Sequence, residues 1–252
     1  MLTSQRKHLL LTRLGRDGQL VAKEISQELG ISEDTVRRDL RELAQAGKLQ
    51  RVHGGALPAS PAVGNVAARE QIAALDKQAI GRAAAAMVQP GQVVIIDGGT
   101  TALQMVQHLP EDLHATVHTH SPAVAMALAR CPHIVIQLLG GRLFRHSMVA
   151  MGAELMEQLS RLRADVFFMG ATGVHASAGV TTGDSEEAAV KRALHRCASE
   201  TVLLASGEKL GAASAYRIMA LADVSAVVVH RGTPAPWIRS VKRAGVRVVQ
   251  AG

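Results

Sequence analysis

Seven short apolar runs, separated by helical stretches, dominate the sequence after about residue 90. They are rich in β-branched residues and are continuous, as in "VVIID" (93–97) and "DVFFMG" (165–170). The other five runs occupy residues 115–119, 134–139, 201–206, 226–230 and 246–250. Continuous apolar strands that alternate with helices are typical of a parallel sheet buried on both faces. The sequence therefore predicts an α/β domain with a mostly parallel sheet, preceded by a helix over residues 68–88.

The first 57 residues have a different pattern, in which charged helical segments follow one another closely. A helix near residues 4–14 and a second at 21–30 precede a third that begins after Ser32 and ends before Gly47, and these are favoured residue types for helix ends. Two helices joined by a tight glycine turn indicate a helix-turn-helix, and "KLQRVHGGA" (48–56) predicts a β-hairpin wing. The expected domains are a winged helix-turn-helix over 1–57, a Pro- and Gly-containing linker over 58–67, and the α/β domain over 68–252.

The third helix carries its arginines away from its apolar stripe. Val36, Leu40 and Leu43 are spaced i, i+4, i+7, so Arg38 and Arg41 point to the opposite side. Arginine near the start of such a helix can read guanine edges in a major groove, while other cations hold phosphates. The predicted DNA-binding residues are Ser32, Thr35, Arg37, Arg38, Arg41, Lys48, Arg51 and His53.

A simpler interpretation exists for this helix taken alone. It would be a solvated surface helix whose arginines pair with nearby carboxylates, namely Glu33, Asp34, Asp39 and Glu42. The turn and the wing, in the right order, favour DNA instead. The net charge of +7 also suits a polyanionic partner, although a basic proteome would produce it too. Two cysteines without metal-type spacing and no apolar run of signal or membrane-span length favour a cytoplasmic protein without a membrane association.

The segment "DGGTT" (97–101) follows the first strand of the predicted sheet and opens a helix. Glycine backbone N–H groups, threonine hydroxyls and a helix N-terminus together can cradle a phosphate, although short Gly-Thr turns also serve only as connections. Other strand ends supply "LGGR" (139–142) and "ASGEKLG" (205–211). Lys191 lies four residues after Glu187, so a solvated ion pair and an anion contact both stay open. His118 and His120 share a strand face without a third ligand, so no metal site or cofactor is predicted.

In order and spacing these segments resemble the DeoR family of bacterial transcriptional regulators. The resemblance is carried by "ISEDTVRRDLRELAQAGKLQRVHGGA", "DGGTT", "LLGGRL", "GATGV", "EEAAVKR" and "KLG". It implies a repressor of sugar or nucleoside catabolism genes that binds double-stranded operator DNA. Because one short recognition helix reads too few bases to select a site, we expect a homodimer or homotetramer. It also implies a C-terminal domain similar in fold to sugar-phosphate isomerases, with a phosphorylated sugar as effector. Together with the strand ends, it gives these effector-binding residues: Asp97, Gly98, Gly99, Thr100, Thr101, Gly140, Gly141, Arg142, Lys191 and Lys209.

The chain departs from the family at a few positions. Ser206, Gly207 and Glu208 stand where the family has Asp-Ser-Ser before its lysine, His120 replaces an asparagine, and Thr172 replaces an aspartate. The phosphate cradle survives these changes, but the identity of the sugar does not follow from them.

Two other functions stay open. One is an active sugar-phosphate isomerase with a DNA-binding appendage, in which acid and base groups would be Asp184, Glu187 and Lys191. The other is a regulator that responds only to a protein partner. We expect no enzyme activity, because the sequence shows no general base with an enforced partner and fold alone does not imply function.

Overall fold

The N-terminal unit is a three-helix core closed by a small antiparallel sheet. In the computed structural model, which describes residues 2–252, its elements are α1 (Thr3–Asp17), β1 (Leu20–Val21), α2 (Ala22–Leu29), α3 (Glu33–Gln45), β2 (Leu49–Val52) and β3 (Gly55–Pro58). The strands are ordered β1-β3-β2. Leu10, Ile25, Val36 and Leu40 fill the core. The predicted helix-turn-helix and wing are confirmed, and β1 adds a third strand that the sequence pattern did not predict.

Both ends of α3 form as the sequence predicts. The Ser32 hydroxyl accepts a hydrogen bond from Thr35 N at 3.2 Å, which satisfies one of the free N–H groups of the first turn. Just beyond the helix end, Gly47 has a φ of +67°, a left-handed conformation that favours glycine.

A buried ion pair fixes α1 against α3. Arg6 contacts both carboxylate oxygens of Asp39, through Nε and, at 3.1 Å, through Nη2. Both side chains are buried, so neither charge is solvated by bulk water. A second pair, Lys7 with Glu42, joins the same helices at the surface. The orientation of α3 in its unit is therefore set by charges as well as by apolar packing.

The second unit is built on seven parallel strands. They are β4 (Val93–Ile96), β5 (Ala115–Thr119), β6 (Ile134–Leu138), β9 (Ala164–Gly170), β12 (Ala198–Leu204), β14 (Ala226–His230) and β15 (Arg247–Ala251). Their spatial order is β15-β14-β12-β9-β4-β5-β6, and every neighbouring pair is parallel. The predicted α/β class is thereby confirmed, with each apolar run forming a strand to within a few residues.

Helices cover both faces of this sheet. They are α4 (Val66–Glu70), α5 (Ala74–Ala85), α6 (Thr100–Gln107), α7 (Pro122–Leu128), α8 (Ala153–Ser160), α9 (Ser185–Cys197) and α10 (Ala235–Arg243). Side chains of α5, α6 and α7 pack on one face around Ile96 and Phe168. Those of α8, α9 and α10 pack on the other around Ile95 and Phe167. Within residues 2–252, the helices are too short or too polar to cross a lipid bilayer.

The expected helix over 68–88 is wrong in one respect, because the chain breaks it. Helix α4 ends at Glu70, Ala73 has a φ of +50°, and α5 begins at Ala74. The break turns Leu75 outward, with 80% of its surface exposed, and buries Ile80 and Ala84 instead. It also places Lys77 inside the protein, with only 2% exposed.

Short antiparallel strands were missed by the sequence pattern. They are β7 (Arg142–Phe144) and β8 (Val149–Met151), which pair with each other, and β10 (Gly173–His175), β11 (Gly179–Thr182) and β13 (Tyr216–Met219), which form a three-stranded sheet. Runs of three or four residues are too short for a period of two to stand out from the surrounding loops.

The segment between the two units lies against the second one. Ala213 N donates to Pro58 O at 3.2 Å, and Val66 N donates to His146 O at 3.1 Å. Between them, the Ser60 hydroxyl donates to Thr172 O. The predicted linker over 58–67 is thus held at both ends, and its boundaries stay a prediction.

We predict that Asp39→Ala destabilises the N-terminal unit by about 3–5 kcal/mol, because it leaves the Arg6 guanidinium buried without its partner. Urea unfolding followed by far-UV circular dichroism would measure the loss. Trp237, the only tryptophan, reports the α/β domain separately by fluorescence. Glu42→Ala is the matched control, since it breaks an exposed pair worth less than about 1 kcal/mol. Equal losses in the two variants would contradict the role assigned to Asp39.

Candidate DNA-binding surface and effector cleft

An exposed groove lies between α3 and the wing. The residues that line it are Asp34, Arg37, Arg38, Arg41, Arg51, Val52, His53 and Gly54. Five of the eight predicted DNA-binding residues are therefore brought together on one surface. Ser32 and Thr35 lie at the start of α3, where their hydroxyl oxygens are 2.9 Å apart. Lys48 is exposed on the turn before β2, outside the groove lining.

Two of the four carboxylates of α3 are paired with α1 instead of with the arginines of this groove. Asp39 is held by Arg6 and Glu42 by Lys7, both from α1. Only Arg37 has a carboxylate of α3 as partner, donating to Glu33 at 2.7 Å. In the part of the chain that the structure describes, Arg38 and Arg41 form no ion pair within 4.0 Å. The surface-helix interpretation is therefore wrong for these two arginines, which face solvent as free cations.

The "DGGTT" segment forms a turn at the carboxyl end of β4. Gly98 packs so closely that a Cβ there would lie 2.3 Å from Val149 Cγ1, and Gly99 has a φ of +107°. Helix α6 begins at Thr100 without a side-chain cap. Its first backbone N–H groups therefore have no partner within the helix and are available to an anion.

Cations from four separate elements surround this turn. Lys191 comes from α9, Lys209 from the short 3-10 turn Gly207–Lys209, Lys77 from α5 and Arg69 from α4. They line one cleft together with Thr101 and other residues of the turn. The carboxylates of the cleft are Asp97, Glu187 and Glu208. Four cations against three carboxylates suit an anionic ligand.

Asp97 is the centre of a buried hydrogen-bond network. One carboxylate oxygen accepts from Gly98 N at 2.8 Å and contacts His120 Nε2 at 2.9 Å, while the other accepts from Gly170 N at 2.8 Å and from Lys191 Nζ. Burial alone would raise the pKa of Asp97. The charge of Lys191 and the contacts with His120 outweigh it and hold that pKa well below its usual range.

His120 is sandwiched between two acceptors. Its Nδ1 lies 3.0 Å from the backbone oxygen of Ala150, and its Nε2 faces Asp97. A carbonyl oxygen and an ionised carboxylate can only accept, so both ring nitrogens face hydrogen-bond acceptors. Within residues 2–252, no three His, Cys, Asp or Glu side chains are grouped so as to hold a metal ion.

Glu187 and Lys191 are buried, so the solvated ion pair that the sequence allowed does not form. Glu187 accepts a hydrogen bond from the Thr182 hydroxyl at 2.5 Å, and its other oxygen lies 4.0 Å from Lys191 Nζ. Lys191 is instead directed to Asp97.

Lys209 is a buried cation of the cleft that is held only weakly. It is 5% exposed, and its Nζ donates only a long hydrogen bond of 3.4 Å to the Thr101 hydroxyl. Burial, together with the nearby charges of Lys77 and Arg69, lowers its pKa to about 8, against the opposing effect of Glu208. Burial likewise lowers the pKa of Lys77 and of Arg69. Burial thus disfavours the charged forms of these three side chains, and a bound anion would stabilise the charged forms.

The structure does not bring every predicted effector residue to the cleft. Gly140, Gly141 and Arg142 lie at the turn into β7, outside the lining residues. Gly141 has a φ of +143° and approaches the backbone of Met151 so closely that a Cβ would lie 2.5 Å from its oxygen. The Arg142 side chain is exposed and donates to Glu186 at 2.6 Å. The backbone conformation and the close contact with Met151 therefore explain glycine at position 141 without a ligand.

The sequence analysis missed Arg69 and Lys77. Their spacing of eight residues would suit a single continuous helix, and nothing in the sequence marks the break at Ala73 that turns both toward the cleft. Ser147, at the end of the β7–β8 loop, was missed for a similar reason, since the hairpin itself was not predicted.

The chain combines a winged helix-turn-helix with an α/β domain that has a cationic cleft at its strand ends. This is the architecture of a DNA-binding regulator with a sensor domain. The family model described as DeoR C terminal sensor domain matches residues 72–231, and the one described as DeoR-like helix-turn-helix domain matches residues 6–61. The chain belongs to the DeoR family of transcriptional regulators.

Curated relatives are similar over nearly the whole length. The HTH-type transcriptional regulator GlpR of Haloferax volcanii is 31% identical, covering 99% of this chain and 98% of the relative. The putative aga operon transcriptional repressor of Escherichia coli is 27% identical over 99% of this chain and 94% of the relative. Among solved structures, ribose 5-phosphate isomerase A of Methanocaldococcus jannaschii is 19% identical, covers 53% of each chain and has a TM-score of 0.40.

We predict that Lys209 titrates near pH 8 and that inorganic phosphate moves its midpoint upward, because a neighbouring anion stabilises the ammonium. NMR of protein labelled with ¹³C at lysine Cε would follow the titration, and Lys209→Met would assign the resonance. A midpoint close to the ordinary value of about 10.4 would show that the ammonium is not desolvated.

Proposed function

We propose that the protein is a repressor that reads operator DNA with α3 and its wing. Arg37 and Arg38, near the start of α3, contact base edges in the major groove, with Thr35 beside them. Arg41, Lys48, Arg51 and His53 contact phosphates and set the register. The observation that carries this proposal is that Arg38 and Arg41 stay unpaired while α1 takes the carboxylates of Asp39 and Glu42.

Two copies at least act together in this proposal. A single helix of 13 residues touches too few bases to select one site in a genome, so repeated half-sites and a homodimer or homotetramer are expected. The relative named as a repressor of the aga operon supports repression as the outcome of binding.

The effector in our proposal is a phosphorylated sugar. Its phosphate would lie against the N-terminus of α6, where free N–H groups and the Thr100 and Thr101 hydroxyls meet Lys209. Asp97 is assigned to positioning, since both of its oxygens are already occupied by Gly98, Gly170, His120 and Lys191.

The link to DNA in our proposal runs through Arg69. This residue lines the cleft from α4, which follows directly on the segment that leaves the wing strand β3. A ligand phosphate near Arg69 would change the position that α4 prefers, and with it the arrangement of the DNA-binding units. A ligand can shift such an equilibrium only by its difference in affinity for the two arrangements.

The isomerase alternative has less support from the geometry. The Asp184 carboxylate caps α9 by accepting from Glu187 N at 2.9 Å, while Glu187 and Lys191 are directed to Thr182 and Asp97. The candidate acid and base groups are thus held in structural contacts, and we propose that the protein is not an enzyme. Turnover of ribose 5-phosphate by the purified protein would overturn this. The cationic cleft likewise favours a small anion over a protein partner as the only signal.

We predict that Arg38→Ala weakens specific DNA binding by roughly 1–3 kcal/mol and relaxes the base preference at one position of each half-site. Fluorescence anisotropy at fixed salt, on DNA from upstream of the protein's own gene, would measure it. The matched control is Arg161→Ala, which removes an exposed arginine of the second unit. If both variants lose affinity to the same degree, base reading by Arg38 is excluded.

We also predict that Arg69→Ala binds DNA normally without ligand but loses most of the change in affinity that an effector sugar phosphate causes. The reason is that the variant removes the cleft cation that belongs to the connecting segment. Anisotropy titrations with and without sugar phosphate would show it. Arg82→Ala, on the exposed side of α5, is the control and should respond as the wild type does. An undiminished response in Arg69→Ala would rule out this route.

A further inference from the structure

One carboxylate oxygen in the cleft has no partner. Glu208 lies in the 3-10 turn after β12, and its Oε1 accepts a hydrogen bond from the Ser206 hydroxyl at 2.8 Å. Its Oε2 is buried and has no hydrogen-bond partner among residues 2–252. A buried carboxylate oxygen left without a donor is costly, which marks it as a place where a ligand completes the structure.

The neighbouring cations do not fill this gap. Lys77 Nζ donates to the backbone oxygen of Arg69 at 2.5 Å, and Lys209 Nζ donates to the Thr101 hydroxyl. The charge of Glu208 partly opposes the lowering of the pKa of both lysines by burial, yet each ammonium is directed to another acceptor. The free Oε2 therefore stands beside the cations without being bonded to them.

The turn holds Glu208 in place. Gly207 N donates to Asp76 at 3.4 Å, and Lys209 N donates to the Ser206 oxygen at 3.0 Å. A Cβ on Gly207 would lie 3.2 Å from the Asp76 carboxylate, which leaves little room for the turn to shift. The 3-10 turn that carries the Glu208 carboxylate is thus held by hydrogen bonds on both sides of Glu208.

An ionised carboxylate can only accept hydrogen bonds, so its missing partner must be a donor. A bare phosphate or sulfate in the cleft offers acceptors and negative charge, and Glu208 would repel it. We propose that Glu208 Oε2 accepts a hydrogen bond from a hydroxyl or amino group on the carbon skeleton of the effector. Glu208 thereby selects a phosphorylated compound that carries such a group over an inorganic anion. This inference rests on the effector site proposed above.

Glu208→Gln in the full-length protein tests the assignment, with affinities for inorganic phosphate, glucose 6-phosphate and glucosamine 6-phosphate measured by calorimetry. The wild type should bind at least one sugar phosphate more tightly than inorganic phosphate. The variant should lose roughly tenfold or more of that preference, because it replaces a charged acceptor by a neutral one. Its affinity for inorganic phosphate should stay the same or rise, since a repelling charge is gone. A larger loss for the amino sugar than for glucose 6-phosphate identifies an ammonium as the donor.

Glu157→Gln makes the same chemical change in an exposed carboxylate of α8 and should leave every affinity unchanged. Fluorescence of Trp237, in the same unit, reports that Glu208→Gln is folded. If Glu208 only balances the charges of Lys77 and Lys209, the variant will raise all affinities by one common factor, and the proposal fails. It fails equally if no sugar phosphate in the wild type exceeds inorganic phosphate. If no anion binds the wild type at all, the effector site itself is wrong.

Discussion

The geometry of the cleft depends on the buried carboxylate of Asp97. It joins the end of β4 to β9 through Gly170 N, to α9 through Lys191, and to the loop after β5 through His120. A buried charge is tolerated only when it is paired and fully hydrogen-bonded, and Asp97 meets that condition with four donors. Lys191 is held by this network, whereas Lys209 forms only a long hydrogen bond with Thr101 among residues 2–252.

The N-terminal unit also contains a buried pair of a cation and a carboxylate, but its effect is on an exposed surface. There the buried pair of Arg6 and Asp39 takes a carboxylate out of reach of the exposed arginines of α3. One pair therefore both fixes α3, the helix proposed to read DNA, and leaves its outer face cationic.

The sequence predicted the parts of this fold whose pattern is local. The seven strands were found because strands buried on both faces must be apolar throughout, and α3 was found because Ser32 and Gly47 have strong preferences for helix ends. The cleft was predicted only in part. Lys191 and Lys209 follow strand ends or a family motif, whereas Arg69 and Lys77 reach the cleft through a helix break that depends on tertiary contacts. Arg142 was predicted as an effector-binding residue because it follows a strand end. The β7–β8 hairpin, which was not predicted, leads the chain away from the cleft there.

The segment that joins the two units has a consequence for the spacing of binding sites. Its backbone is hydrogen-bonded to the second unit at Pro58 and again at Val66, and β3, at its start, belongs to the wing. Such a tether has almost no slack, unlike a flexible linker whose reach grows with its length. In the oligomer proposed above, the distance and helical phase between two recognition helices would then follow from the way the larger units pair. Operators of such an oligomer would tolerate little variation in half-site spacing, because no length of loose chain absorbs the difference.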